Sequence, residues 1–81
     1  MQLDIVTPDK KVFSGKISGV KVPGSDGAFE LLNNHAPIIS TLEKGAVRIK
    51  TKDGEQNIEI DGGILEMLNN KIIILAEAVL V

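Results

Sequence analysis

The sequence predicts an all-β protein, because turn signals are frequent, apolar and polar residues alternate between them, and a helical stripe of apolar residues is missing. About eight to twelve residues separate one turn signal from the next, a spacing typical of β-sandwiches and β-barrels. No window of about 12 residues sustains the helical period, so no helix longer than one turn is predicted. The turn signals are Pro8-Asp9, the segment 23–27, Asn33-Asn34, Lys44-Gly45, Asp53-Gly54, Gly62-Gly63 and Asn69-Asn70.

The first half of the chain contains four short candidate strands, at residues 3–6, 16–22, 29–32 and 38–42. In the second of them the apolar positions change phase between Ile17 and Val20, because Ser18 and Gly19 intervene. A β-bulge at Gly19 would restore the register. We therefore predict one bulged strand over residues 16–22.

A β-hairpin follows in the middle of the chain. Residues 46–52 alternate apolar with basic side chains, as expected for a strand with one buried face. Asp53-Gly54 is a tight-turn signal, and residues 55–61 return with Ile58 and Ile60 inward. Basic side chains on one strand would then face acidic ones on the other, at about 0.2 to 1 kcal/mol per pair.

Residues 64–68 and 72–76 are more uniformly apolar. Each segment is too short for a stable helix but long enough for a strand. Strands without polar alternation are typical of sheets that are covered on both faces. We therefore predict that these two segments form central strands, buried on both sides.

The composition fits one small domain over residues 1–81, which by its size buries roughly 60 to 65% of the surface of its unfolded chain. Apolar residues make up 43% of the sequence, which excludes a disordered composition. There is no cysteine, so neither a disulfide framework nor a thiolate metal site stabilises the fold.

The charge pattern argues against nucleic acid as a partner. Nine basic and eleven acidic residues are mixed along the chain, and Trp and Tyr are absent, so there is neither a basic face nor a stacking platform. No basic segment followed by an apolar core indicates export. The longest apolar run, residues 72–76, is far below the roughly 20 residues that cross a bilayer, so a membrane contact would pass through a partner protein.

Little in the sequence indicates catalysis. The single histidine, His35, lacks the spacing of a metal or hydrolase motif and is interpreted as a loop residue that braces its turn before Pro37, or as an interface residue. The segment 23–27 is glycine-rich, but neither the lysine nor the following helix of a phosphate-binding loop accompanies it. The residues alone therefore indicate a β-module that binds or supports a partner, and we predict no catalytic, cofactor-binding or metal-binding residue.

Several segments, in the same order and spacing, resemble the ε subunits of bacterial F-type ATP synthases. The match extends over almost the entire chain and covers the N-terminal β-sandwich domain of that family. Its segments are Leu3-Asp4-Ile5-Val6-Thr7-Pro8, Val12-Phe13-Ser14-Gly15, Val22-Pro23-Gly24-Ser25-Asp26-Gly27, His35-Ala36-Pro37, the segment 45–49, Gly62-Gly63-Ile64-Leu65-Glu66 and Ile73-Ile74-Leu75-Ala76.

The resemblance implies a flattened ten-stranded β-sandwich and a non-catalytic rotor subunit of the central stalk. Such a subunit binds the γ subunit and the c-ring, and it couples proton-driven rotation to ATP synthesis at the cytoplasmic face of the inner membrane. Typical members continue into a two-helix C-terminal domain, which this sequence lacks, so binding of ATP is not expected. The alternatives are a free-standing sandwich that binds a small ligand or peptide, and a small hydrolase domain.

The resemblance also implies site residues. Thr7, His35 and Ser40 would face the γ subunit, and a loop would face the c-ring. That loop consists of Gly24, Ser25, Asp26, Gly27, Ala28, Phe29 and Glu30. The acidic residue that the family uses towards the ring is absent at Ala28. Glu30 is a candidate substitute, although we expect it to point to the other side of its strand.

Overall fold

The computed structural model describes residues 1–80, which form eight strands. The strands are β1 (Gln2–Val6), β2 (Lys11–Lys16), β3 (Gly19–Val22), β4 (Phe29–Leu32), β5 (Ile38–Thr51), β6 (Gly54–Leu68), β7 (Lys71–Ala76) and β8 (Val79–Leu80). The all-β prediction is confirmed. Within residues 1–80 there is no helix with the length and apolarity to span a membrane.

The two long strands, β5 and β6, connect two layers. The start of β5 pairs with the end of β6, and this pair continues the sheet through β7, β1 and β2; we call this layer one. The end of β5 pairs with the start of β6, and this pair is flanked by β3 and β4 on one side and by β8 on the other; we call this layer two. Each layer therefore contains five strand segments.

The predicted ten strands are thus eight continuous strands, of which β5 and β6 each contribute to both layers. The bend lies at Glu43 and Gly62, which do not pair, whereas the residues on either side of them do. Glu43 N donates instead to Pro23 O at 2.8 Å, and Gly62 O accepts from Glu77 N at 3.0 Å. Gly62 has a φ of 96°, which favours glycine at this bend.

The core lies between the layers and is built from alternate residues of the strands. Both layers contribute to it, through residues such as Leu3 and Ile74 in layer one and Val20 and Ile49 in layer two. No polar or charged residue within residues 1–80 is buried. Each large aliphatic side chain of this kind contributes about 1.5 to 3 kcal/mol when fully buried.

The predicted hairpin is present in β5 and β6, where Val47 pairs with Ile58. Its turn is displaced by one residue from the prediction. Lys52 and Asp53 form the loop, and Gly54 closes it opposite Thr51 with a φ of 130°.

The predicted charge pairing across this hairpin is only partly right. Lys50 lies opposite Glu55, but Arg48 lies opposite Asn57. The ion pair that forms joins Lys50 Nζ to Glu30 Oε2 of β4 at 3.0 Å.

The prediction of one bulged strand over residues 16–22 is wrong. β2 ends at Lys16 in layer one, and β3 begins at Gly19 in layer two with regular pairing to both of its neighbours. Ile17 N donates to Met1 O and Ser18 N donates to Lys50 O, each at 2.8 Å, so the chain crosses between the layers here. This crossing, rather than a bulge, changes the phase of the apolar residues.

The prediction that residues 64–68 and 72–76 are buried on both faces is also wrong for this chain. The strands are central in layer one, but only their inner side chains are buried. Ile64 and Leu75 are 48% and 54% exposed. In a two-layer sandwich each strand has one face towards the core, and nothing in residues 1–80 covers the other.

Candidate functional site

The outer surface of layer one carries an apolar face, which is interrupted by one exposed charged residue, Glu66, between Ile39 and Ile73. The pairing of β5, β6, β7 and β1 places Thr41 beside Ile64, Ile64 beside Leu75, and Leu75 beside Val6. Ile39 is 73% exposed, the largest value among the exposed large hydrophobic residues. We define the apolar face as Val6, Ile39, Thr41, Ile64, Ile73 and Leu75.

A polar border runs along one side of the apolar face. Asp4 lies beside Ile73 and accepts hydrogen bonds from Ser14 Oγ at 2.7 Å and from Gln2 Nε2 at 3.1 Å. The hydrogen bond from Ser14, followed by that from Gln2, lowers the pKa of the Asp4 carboxyl below its usual 3.8. This border is therefore a fixed negative charge next to an aliphatic surface.

The outer surface of layer two is charged instead. Lys21, Glu30, Arg48 and Lys50 are exposed there. The hydrogen bond with Glu30, together with the charge of Glu30, raises the pKa of Lys50. Both side chains of this ion pair are more than a third exposed, so solvent screening leaves the pair little influence on the stability of the fold. The two outer surfaces of the sandwich thus differ in chemical character.

A groove of about 750 Å³ adjoins the apolar face at the bend of β5 and β6. Gly63 lies in the wall of the groove, and four residues belong to both the groove and the apolar face, namely Val6, Thr41, Ile64 and Leu75. A Cβ atom on Gly63 would lie 2.3 Å from Leu75 O, so only glycine allows β6 and β7 to approach this closely.

The three residues predicted to face the γ subunit do not converge. Thr7 follows the C-terminal end of β1 and lines the groove. His35 is exposed at the other end of layer one, near Asn70, whose carbonyl oxygen accepts from Gln2 N at 3.1 Å. Ser40 is half-buried on the inner side of β5, and its hydroxyl donates to Thr41 O at 3.1 Å. Its neighbours in the strand, rather than Ser40 itself, belong to the apolar face.

The loop that carries His35 is tied to two distant parts of the chain. Asn34 has a φ of 63°, and its N–H donates to Asn70 Oδ1 at 2.9 Å. The N-terminal amine of Met1 donates to Asn33 Oδ1 at 3.0 Å. The His35 ring donates from Nδ1 to Ala36 O at 2.7 Å, because a carbonyl oxygen can only accept. Its Nε2 edge therefore remains available to a partner.

The loop predicted to face the c-ring is compact and attached to the edge of β5. Gly27 N donates to Gly24 O at 2.9 Å, and Ser25 N donates to Thr41 O at 3.0 Å. Thr41 Oγ1 also donates to Ser25 Oγ at 2.9 Å. A Cβ atom on Gly24 would lie 2.6 Å from the ring of Phe29, so the loop folds tightly on itself.

The expectation that Glu30 points away from the side of Ala28 is wrong. Ala28 lines a small surface hollow with Ala46 and Arg48 on the outer side of layer two. Glu30 is on the same side, where it pairs with Lys50. The two residues are separated by one position, and in extended backbone such residues face the same way.

The apolar face does not follow from the predictions made from the sequence, because the apolar runs of β6 and β7 predict strands that are buried on both sides. The missed signal is the small size of the chain, because 81 residues can form two layers but cannot cover them. A fully apolar strand in such a sandwich must expose one apolar face.

The arrangement of the two layers defines a class of protein. A two-layer sandwich with an apolar outer face is suited to binding another protein. Within residues 1–80, no three His, Cys, Asp or Glu side chains form a cluster that could hold a metal ion.

Comparison with known proteins identifies the family. The family described as "ATP synthase, Delta/Epsilon chain, beta-sandwich domain" matches residues 1–80. An ATP synthase epsilon chain of Chlorobium limicola is 44% identical over 79 residues, which cover 96% of this chain and 90% of the relative. Its counterpart in Chlorobaculum tepidum is 46% identical over 78 residues, which cover 95% and 89%. This chain belongs to the ATP synthase epsilon chain family and is a non-catalytic subunit rather than an enzyme.

Solved structures share the fold. A chain in the cryo-EM structure of the Euglena gracilis mitochondrial ATP synthase, OSCP/F1/c-ring, superposes with a TM-score of 0.89 at 15% identity. A chain in the central stalk/c-ring structure of the Tetrahymena thermophila mitochondrial ATP synthase has a TM-score of 0.81 at 17% identity. These alignments cover 96% and 98% of this chain but 51% and 64% of the two other chains. The predicted β-sandwich is confirmed.

Proposed function

We propose that this chain is a rotor subunit of an F-type proton-translocating ATP synthase, with residues 1–81 acting as one domain. It binds the γ subunit through the apolar face, and its loop of residues 24–30 faces the c-ring. In this role it couples proton-driven rotation to ATP synthesis while attached peripherally to the cytoplasmic face of the inner membrane. Family membership supports the proposal.

The observation that carries the proposal is the exposure of the apolar face. Ile39, Ile64 and Leu75 are 73%, 48% and 54% exposed and lie on three neighbouring strands. Complete burial of a fully exposed aliphatic side chain contributes about 1.5 to 3 kcal/mol, and roughly half of that remains for a side chain that is half exposed, so a partner that covers these three gains a few kcal/mol before ordering costs. The charged outer surface of layer two offers no comparable gain.

The mechanism is mechanical, and stiffness is its structural requirement. The backbone hydrogen bonds of β5 and β6 run continuously from layer one into layer two, apart from the bend at Glu43 and Gly62. A load applied to the apolar face therefore reaches both layers through paired backbone rather than through a flexible linker. No bond of a substrate needs to be made or broken by a side chain of this subunit.

Asp26 is the residue that we propose for the acidic contact to the c-ring. It is exposed in the turn that Gly24 and Gly27 close, and it makes no side-chain hydrogen bond or ion pair within residues 1–80. Glu30, the earlier candidate, is engaged by Lys50. The attachment of Ser25 to Thr41 holds this loop firmly, which suits a contact that transmits force.

The test is the affinity for a γ subunit from the same source. Leu75→Asp places a charge in the apolar face, and we expect it to weaken binding by about tenfold or more, equivalent to roughly 1.4 kcal/mol. Leu32→Asp is the matched control, because Leu32 is 55% exposed but lies in layer two. The control should change the affinity by less than about twofold. Equal effects of both substitutions, at equal thermal stability, would refute the proposed face.

A further inference from the structure

The groove beside the apolar face combines an apolar interior with an acidic rim. Leu42, Ile64 and Ala76 provide apolar lining at the bend of β5 and β6. Glu43, Asp61 and Glu77 also line the groove. All three carboxylates are exposed.

The rim is unbalanced in charge. Among the groove-lining residues of the described range 1–80, one is basic, Lys44, and three are acidic. Within residues 1–80, none of these four side chains forms an ion pair or a side-chain hydrogen bond. Carboxylates gathered around an apolar opening favour a cation next to an apolar group and disfavour a phosphate or another carboxylate.

The glycines at the bend keep the groove open. A Cβ atom on Gly62 would lie 3.3 Å from Leu42 O and 3.5 Å from Glu77 Oε2. Gly62 also has a φ of 96°, a conformation that side chains rarely adopt. A larger residue at this position would therefore strain the bend and enter the space beneath the rim.

We infer that the groove receives an apolar side chain of the γ subunit that is flanked by a lysine or arginine. This inference rests on the proposed binding of γ to the adjacent apolar face, with which the groove is continuous through Thr41, Ile64 and Leu75. The apolar side chain fills the interior, and the neighbouring cation lies against the carboxylates of the rim. Anchor side chains that fill well-packed pockets account for much of the affinity of protein interfaces.

The experiment compares γ affinity for two charge-reversal variants of the whole chain at low and high salt. Glu43→Lys with Glu77→Lys reverses the rim, and we expect binding to weaken by about tenfold or more at low salt. The wild-type affinity should fall with added salt, whereas that of the rim variant should not. Glu55→Lys with Glu59→Lys makes the same change in net charge on the outer surface of layer two, and it should alter binding by less than about twofold.

Three results would count against the inference. If the wild type binds γ and both double variants weaken binding equally, or neither does, the groove is not the contact, although γ binding stands. If the wild type does not bind γ at all, the proposed function fails and the inference fails with it. Because all four substituted residues are exposed, thermal unfolding of the variants should match that of the wild type and so exclude misfolding.

Discussion

The Asp4 carboxylate accepts the hydrogen bonds that hold Ser14 and Gln2 in the polar border of the apolar face. Its pKa is lowered by the hydrogen bonds from Ser14 and Gln2. A carboxyl whose folded-state pKa lies below its unfolded value stabilises the fold at pH values above the unfolded value. That contribution is lost as the pH falls through the folded-state pKa.

Because Asp4 stabilises the fold only while it is ionised, the effect of Asp4→Asn on stability should depend on pH. The difference in free energy of unfolding between wild type and variant should be constant near neutral pH and shrink as the pH falls below 3.8, where the Asp4 carboxyl takes up a proton first in the unfolded chain and, at lower pH, in the folded chain. Chemical denaturation at a series of pH values measures it. Stability curves that stay parallel through this range would mean that the hydrogen bonds to Asp4 do not depend on its charge.

Two roles of His35 can be distinguished by mutation: contact with the γ subunit, or bracing of its own loop. The ring is exposed, and its Nδ1 is bound to the adjacent carbonyl of Ala36, while the loop itself is held by Asn34 and Asn70. We predict that His35→Ala weakens γ association by roughly 1 to 2 kcal/mol and changes the stability of the domain by less than about 1 kcal/mol. Thermal unfolding and γ affinity are measured on the same variant. A destabilised domain with unchanged affinity would assign His35 to bracing alone.

At the scale of the strands, the sequence predicts local patterns well and long-range relations poorly. The β5–β6 hairpin follows from alternation and a turn signal, which are both local properties. The change of layer at Ile17 and Ser18 does not, because it depends on hydrogen bonds to Met1 and Lys50, far away in the sequence. The Gly62-Gly63 signal does indicate a bend or a close approach of two backbones, but it does not show that β6 continues through the bend into the other layer.

The contact between β6 and β7 provides a prediction at this scale. A Cβ atom at Gly63 would overlap Leu75 O, whereas one at Gly15 in β2 would meet only the Phe13 ring at 3.7 Å. We expect Gly63→Ala to lower the free energy of unfolding by about 3 kcal/mol, and Gly15→Ala to change it by less than about 1 kcal/mol. Urea denaturation of both variants tests this. A similar small effect at both positions would show that β6 and β7 can separate without cost.

For the whole molecule, the fold class could be predicted from sequence but the binding surface could not. Frequent turn signals and the lack of a helical stripe are sufficient for an all-β prediction, and the order of the motifs is sufficient for the family. The apolar face is different, because Ile39, Ile64 and Leu75 become neighbours only through the pairing of β5, β6 and β7. The sequence shows that these residues are apolar, but not that they are exposed together.

The most direct test of the γ-binding face is nuclear magnetic resonance with cross-saturation from a protonated γ subunit to methyl groups of this chain. We predict that the methyl signals of Ile39, Ile64 and Leu75 lose intensity in the complex, because the partner covers them. The methyl signals of Leu32, which is about as exposed as Leu75 but lies in layer two, should be unaffected. Loss of intensity at Leu32 with unchanged signals from Ile39, Ile64 and Leu75 would contradict the proposed face.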